Sequence, residues 1–429
     1  MSNREHYKTE VISAASNTYI RWPLVIAFAI ILIGFNALGS EIKRLFSATI
    51  LGTSDASNTA LMSNNAISKK LYILSHIPRS PDVTSGAIAG RITVLDIESR
   101  QELYTFAAGV NVDAVPSPDG TKLYIASVDS SPDGGIGIDY LTAIDIKTEK
   151  ELWHLILDDR MKGEIPTTLA ISPDGRWLYY YSYPWLRLNE YPVDEVPYWV
   201  TIVNTSTGQA LPDKILLPDC FTGTFQVDPN GKFLYITCLG TQDIRIANLD
   251  TFQVEQRLKI PETPNRSALS WKVGGIASSI LSSDGRIMYV VTNDLHVTVI
   301  DVVQRAIKKT INLDPSRKWL AINSMTFLSS DDQILSIGVQ ARKSRNENTT
   351  NIVSFRTIDW RENSNVTFKT SFIGGVHASL HSNGLIYAVV VPAFPNASNT
   401  IIQIDADGNQ DGAPIIRQGE DIKRIFTGP

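Results

Sequence analysis

SPDGTKLYIAS, from Ser117 to Ser127, is written several times over in this chain. SPDGRWLYYYS (172–182), DPNGKFLYITC (228–238) and SSDGRIMYVVT (282–292) are close copies, and HSNGLIYAVVV (381–391) is a looser one. In Ser-Pro-Asp-Gly, Pro118 presets the second residue of a type I turn, Asp119 sits comfortably next, and Gly120 accepts a positive φ. Such a turn joins two antiparallel strands. The run after it is aromatic and β-branched, as suits a buried strand. A short apolar strand precedes each turn, LAI at 169–171 or SSIL at 278–281.

A second signature follows each copy. YLTAIDIKTEKELW (140–153), WVTIVNTSTGQAL (199–211), DIRIANLDTFQVEQRL (243–258) and HVTVIDVVQRAIKKTI (296–311) each read as strand, turn, strand. The unit is therefore a four-stranded meander, strands a to d. Turn starts fall at Ser117, Ser172, Asp228, Ser282, Ser329 (a degenerate SSDD) and His381. A period of roughly fifty residues is that of propeller blades. Blade one has b, c and d strands (KLYILS 70–75, RITVLDI 91–97, ELYTF 102–106) but no a strand upstream. DIKRIFTGP (421–429) reads as that missing strand. The expectation is an all-β, seven-bladed β-propeller over 69–429, closed by the C-terminal strand, which leaves no free sheet edge.

The SPDGxxLY and VTVID elements resemble the YVTN family of β-propeller repeats over roughly residues 69–429. That resemblance implies the fold. It implies little about activity, because such repeats serve adhesins, surface-layer proteins, lactonases and quinoprotein dehydrogenases.

The 429 residues carry a net charge of −5, so no basic face for nucleic acid is expected. Two cysteines and six histidines, with no CxxC, argue against a zinc ribbon, an iron–sulfur cluster or attached haem. Cys220 and Cys238 bracket one a–b hairpin; depending on loop register they either pair as a disulfide or lie on opposite faces as core thiols. WPLVIAFAIILIGFNALG (22–39) is uncharged and close to the length of a membrane span. We read 1–21 as a cytoplasmic tail, 22–39 as a transmembrane signal anchor and 40–68 as a polar linker. Ala37-Leu38-Gly39 would also pass as a signal-peptidase site. Either way the propeller lies outside the cytoplasm, at the cell membrane or secreted.

The long insertions are almost all b–c loops: 76–90, 128–139, 183–199, 341–351 and 392–400. The a–b turns are minimal. Elaboration on one face of a rigid scaffold marks a binding face. The blade-three loop is the longest, and Tyr183, Trp185, Arg187, Tyr191, Tyr198 and Trp199 suit a protein or glycan partner. The plainer reading is a loop packed on itself.

Aligned on their turns, Asp113, Thr168, Thr224, Ser278, Met325 and His377 share one level of the inner strands, and Arg424 of the closing strand joins them. This level reads either as a ligand pocket at the channel mouth or as the polar lining of a water-filled channel. Asp407, Asn409 and Asp411 in DADGNQDG match the opening of a calcium loop. The match departs at its end, where Gln418 stands in place of a bidentate Glu, and the segment falls where a c–d turn is expected. No other cofactor is expected. Asp96, Asp145 and Asp301 recur at the end of strand c and should cap its turn.

The leading expectation is a membrane-anchored extracytoplasmic propeller that binds a protein or glycan through its b–c loop face. The alternative is a lactonase-like hydrolase with its site over the central channel. A quinoprotein dehydrogenase is a weaker third.

Overall fold

The copies that begin at Ser117, Ser172, Asp228 and Ser282 fold as the hairpin turns their residues favour. Ser117 N–H donates to the Lys122 carbonyl and Gly120 N–H to the Ser117 carbonyl, both at 2.8 Å. Lys122 N–H donates to Ser117 Oγ at 2.9 Å, and the Ser117 hydroxyl donates to the Asp119 carboxylate at 2.5 Å. Partial burial pushes the Asp119 carboxyl up, but the donors Ser117 and Thr121 outweigh it and hold its pKa low. At Asp228 a carboxylate takes over the serine's role, accepting from the Lys232 and Phe233 N–H groups at 2.6 and 2.7 Å.

The computed structural model describes residues 70–77, 89–128, 139–157, 164–184, 198–220, 222–238, 241–261, 275–314, 321–329, 331–344, 347–369, 377–380, 385–390, 399–405, 409–410, 414–417 and 421–428. Blade one holds β1 (Lys70–Ile77), β2 (Ala89–Asp96) and β3 (Glu102–Ala108). Blade two holds β4 (Val110–Pro116), β5 (Lys122–Val128), β6 (Asp139–Asp145) and β7 (Lys150–Ile156). Blade three holds β8 (Glu164–Ile171), β9 (Trp177–Pro184), β10 (Trp199–Asn204) and β11 (Ala210–Leu216). Blade four holds β12 (Thr222–Val227), β13 (Phe233–Cys238), β14 (Asp243–Asn248) and β15 (Gln253–Lys259). Blade five holds β16 (Ile276–Leu281), β17 (Ile287–Thr292), β18 (His296–Asp301) and β19 (Ala306–Asn312). Blade six holds β20 (Ala321–Leu328), β21 (Ile334–Ser344), β22 (Glu347–Arg356) and β23 (Glu362–Lys369). Blade seven holds β24 (His377–Leu380), β25 (Ile386–Val390), β26 (Asn399–Ile404) and β27 (Ile415–Arg417).

These strands form seven four-stranded antiparallel sheets. The last strand, β28 (Asp421–Gly428), joins blade one as its inner strand, with Lys70 opposite Gly428 and Leu74 opposite Arg424. Inner strands of successive blades lie side by side, β4 by β8, β8 by β12, and so on to β24 by β28. This is an all-β propeller of antiparallel four-stranded blades. The anchor expected at 22–39 and the linker at 40–68 lie outside the described residues, among which no helix is long and apolar enough to cross a membrane.

The core sits between blades, not within one. Leu123, Ile125 and Ile144 of blade two pack on Tyr72, Ile92 and Phe106 of blade one. Tyr179 and Val200 of blade three likewise pack on Phe225 and Leu234 of blade four. Each strand alternates its side chains between its two neighbouring blades, as a period of two requires.

The recurring turn has a second role. In blades two to four the turn proline, Pro118, Pro173 or Pro229, lies against the glycine of the next blade's turn. A Cβ on Gly175 would stand 3.2 Å from Pro118 Cδ, and one on Gly285 only 2.2 Å from Pro229 Cδ. Between blades five and six both residues change together. Ser283 occupies the proline position and Asp332 the glycine position, and they join by hydrogen bonds instead: Ser283 N–H and Oγ–H donate to the Asp332 carboxylate at 3.0 and 2.6 Å. The c–d turns are capped as their sequence predicts, with Ser99, Thr148 and Gln304 N–H donating to Asp96, Asp145 and Asp301 at 2.7–2.9 Å.

Candidate functional site

The polar level of the inner strands is buried. Asp113 is 4% exposed, Thr168 and Thr224 1%, and Ser278 0%. Its hydrogen bonds run sideways, from one blade to the next. Asp113 accepts from Leu169 N–H at 2.9 Å through one oxygen and from Ala114 N–H at 2.7 Å through the other. The Thr224, Ser279 and Thr237 hydroxyls form a triangle with sides of 2.7–2.8 Å. Gln226 Nε2 donates to the Ser279 carbonyl at 2.5 Å. The Ser278 and Thr326 hydroxyls bond directly. For Asp113, Thr224 and Ser278 the partner in the next blade lies one residue past the equivalent level, because successive side chains face opposite neighbours. Alignment on the turns places Met325 at this level, yet Thr326 makes the link. His377 lies opposite Val389 on β24 and Arg424 opposite Leu74 on β28; their side chains lie outside the described residues. Pairwise links across the seams engage Asp113, Thr224 and Ser278.

The foot of the blade-three loop is built differently. Trp185, Arg187 and Tyr191 lie outside the described residues, as does the side chain of Tyr183 on β9. Tyr198 is buried and its ring stacks on Tyr181 at 6.2 Å. Tyr181 meets Phe225 edge-on at 6.0 Å and donates its hydroxyl to the Cys220 carbonyl at 3.3 Å. Trp199, on β10, carries the Lys214 ammonium 4.3 Å above its ring. Cys220 and Cys238 form a disulfide, Cα–Cα 5.0 Å, the outcome the sequence left open. Counting turn residues cannot settle that pairing, because the β12–β13 register shifts between Thr222 and Phe225.

Beside the disulfide lies an ion cluster that sequence reading missed. Arg245, on β14, has a side chain only 2% exposed. It donates to the Pro218 carbonyl at 2.6 Å and to Asp219 at 2.9 Å. Asp243 approaches Arg245 Nε at 3.6 Å and accepts two hydrogen bonds from Arg257, at 2.8 and 3.0 Å. Those bonds to Asp243 raise the Arg257 pKa against a smaller effect of burial. The sequence held a signal. At Arg245's place in strand c, other blades carry Thr93, Thr142, Thr201 and Thr298, and a long cation on a buried face needs partners.

In the DADGNQDG segment, Asn409 donates to Asp405 through its backbone N–H at 2.7 Å and its side-chain amide at 3.0 Å. These bonds join the two described ends of the segment, Asp405 and Asn409. Asp407 and Asp411 lie outside the described residues. Among the described residues no group of three His, Cys, Asp or Glu is placed to hold a metal ion.

Radial four-stranded meanders define the class as a β-propeller. Solved structures with related folds include a putative 6-phosphogluconolactonase from Bacteroides uniformis, with 14% identity over 84% of this chain and 99% of that one, TM-score 0.56. Hydrazine synthase from Kuenenia stuttgartiensis shares 17% identity over 67% of this chain and 75% of that one, TM-score 0.49. The Cps50 (Swd1) β-propeller domain of Myceliophteria thermophila shares 13% identity over 72% of this chain and 90% of that one, TM-score 0.48. Likeness at these identities is one of fold alone. No family model matches the chain, so the resemblance to YVTN repeats rests on the motifs quoted above. No curated protein matches its sequence.

Proposed function

We propose that this chain is a membrane-anchored propeller of seven blades, closed by β28, whose ring lies outside the cytoplasm and binds a protein or glycan through its b–c loop face. The observation that supports the binding role is the brace under the blade-three loop. A disulfide, an Arg245–Asp219–Asp243–Arg257 cluster whose Arg245 and Asp243 are buried, and the Tyr181–Tyr198 stack meet where that loop rejoins the sheet. A rigid foot lowers the entropy cost of presenting recognition residues, and Tyr183, Trp185, Arg187 and Tyr191 supply suitable chemistry. The disulfide also favours an oxidising compartment, and the apolar stretch 22–39 supplies the anchor.

The test compares the full chain, in its own membranes, with a variant whose residues 185–197 are replaced by a Gly-Ser linker of equal length. Glycan-array retention and surface crosslinking are the readouts. The expected result is a loss of at least tenfold in retention with an unchanged melting midpoint. Equal retention by both chains would overturn the loop-face reading. Lactone turnover by both would replace it with a hydrolase acting over the channel.

A further inference from the structure

Between blades one and two lies a cleft of about 320 Å³, open to solvent along Ala107, Glu151 and Ile156. Its floor is the face of blade two that looks toward blade one, and strand register sets out its rows. Ser127, Tyr140 and Ile156 form one row. Ile125, Thr142 and His154 form the next, and Ile144 with Glu151 the last. Ala107 and Ala108, at the end of blade one's outer strand, form the opposite wall.

The cleft has an identifiable cause. Ala108 pairs with Gly90, six residues before the capping Asp96. The same place in blades two to five holds Leu157, Leu217, Ile260 and Leu313, each packed against the following blade. Blade one alone of these five has a methyl group there, and the space left by the missing isobutyl stays open.

Its chemistry is that of a binding site. Ser127 is 0% exposed, and its hydroxyl has no hydrogen-bond partner. A buried hydroxyl without a partner costs free energy that a ligand can recover. Thr142 Oγ1 lies 3.2 Å from His154 Nδ1, and the His154 ring leans on Tyr140 at 4.8 Å between centroids. Five side chains with hydrogen-bonding groups face an aliphatic wall. Among the described lining residues Glu151 is the one carboxylate, and none is Lys or Arg. A described lining without a cation disfavours an anionic ligand, and three hydroxyls, an imidazole and one carboxylate offer both donors and acceptors, as a polyhydroxylated ligand needs. We propose that this seam binds a neutral sugar or polyol the size of one monosaccharide, with Ser127 and Glu151 bonding its hydroxyls and the alanine wall covering its C–H face. This site is separate from the blade-three loop.

The experiment titrates the full chain, in detergent, with glucose, galactose, mannose and N-acetylglucosamine, following the melting midpoint and saturation-transfer NMR. Methylamine and inorganic phosphate serve as contrasting probes. One sugar should saturate the protein and raise its midpoint. Ala108→Leu, which copies four other blades, should abolish that binding. Ser127→Ala should weaken it roughly tenfold, the effect of one lost hydrogen bond, without lowering the midpoint of the free protein. If Ala108→Leu does not fold, Ser127→Ala decides. No binding by any sugar would leave a water-filled gap and overturn the proposal. Tighter binding of amine or phosphate would overturn the ligand class. Sugar binding that survives Ala108→Leu but is lost on replacing 185–197 would belong to the loop face and overturn this site.

Discussion

The seam between blades one and two and the seam between blades three and four use the same backbone and close in different ways. In the first, Tyr140, Thr142 and His154 look across at Ala107 and Ala108 over an open space. In the second, the same rows hold Asp243, Arg245 and Arg257, and the wall opposite is Leu217, Pro218 and Asp219. A disulfide then ties the end of β13 to that wall. Two or three side chains therefore decide whether a seam is a clamp or a pocket. The strand ladder is indifferent to the choice.

The comparison breaks most sharply at Arg245. Arg245→Met keeps much of the side-chain volume but leaves Asp219 and the Pro218 carbonyl short of a donor. Asp219 is half-exposed and Asp243 keeps its pair with Arg257, so the cost falls at the low end for breaking a buried pair, about 3 kcal/mol, to be read from urea midpoints of the full chain. Thr142→Val, at the same place in blade two, removes one hydrogen bond and should cost about 1 kcal/mol. Similar losses at both positions would erase the distinction between the seams. The next effect belongs to the disulfide. Its cysteines are 18 residues apart, and replacing both by serine should cost about 3 kcal/mol. The same loss should follow when reductant is added to the parent chain, and a reductant-insensitive midpoint would remove the covalent half of the clamp.

Much of this ring is legible in the sequence, because turn and strand repeat together. Pro118, Asp119 and Gly120 announce the hairpin, and LYIAS announces a strand buried on both faces. The closing strand is legible for the same reason: DIKRIF completes a unit that blade one begins. What lies between blades is not legible from a repeat. Thr224 and Ser279 are 55 residues apart, and their contact depends on an offset of one residue between neighbouring strands. Turn alignment puts Met325 where the structure uses Thr326 for the same reason. The cleft at Ala108 is harder still, since it appears only when the residue at the end of strand d is compared across five blades.

The turns offer a smaller test of how seams close. Gly285 has φ +69°, and a Cβ there would meet the rigid Pro229 ring at 2.2 Å. Gly285→Ala should cost about 2 kcal/mol or more, from left-handed strain and overpacking together. Pro229→Ala should relieve the second part, so the double variant should lose less than the sum of the singles. Strict additivity in thermal melts would show that the proline does not bear on the glycine.

The faintest effect separates blades five and six from the rest, because there the turn contact carries a charge. Burial raises the Asp332 pKa, opposed by the Ser283 donors, and the neighbouring carboxylates Asp284 and Asp331 raise it further. A folded pKa above the unfolded value means that protonation favours the folded state. The contribution is present in full below the unfolded pKa, near 3.9, and is lost as pH rises through the folded value. At neutral pH the ionised carboxylate is therefore a net cost, although Ser283 bonds to it. Asparagine tolerates the left-handed backbone that Asp332 adopts at φ 59° and keeps an oxygen for Ser283. Asp332→Asn should raise stability at pH 7 by a few tenths of a kcal/mol, with the gain shrinking toward pH 3. A variant less stable than the parent at pH 7 would mean that the Ser283 bonds need the negative charge. The seam would then be an ionic latch in miniature, closer in kind to the Arg245 clamp than to the proline contacts beside it.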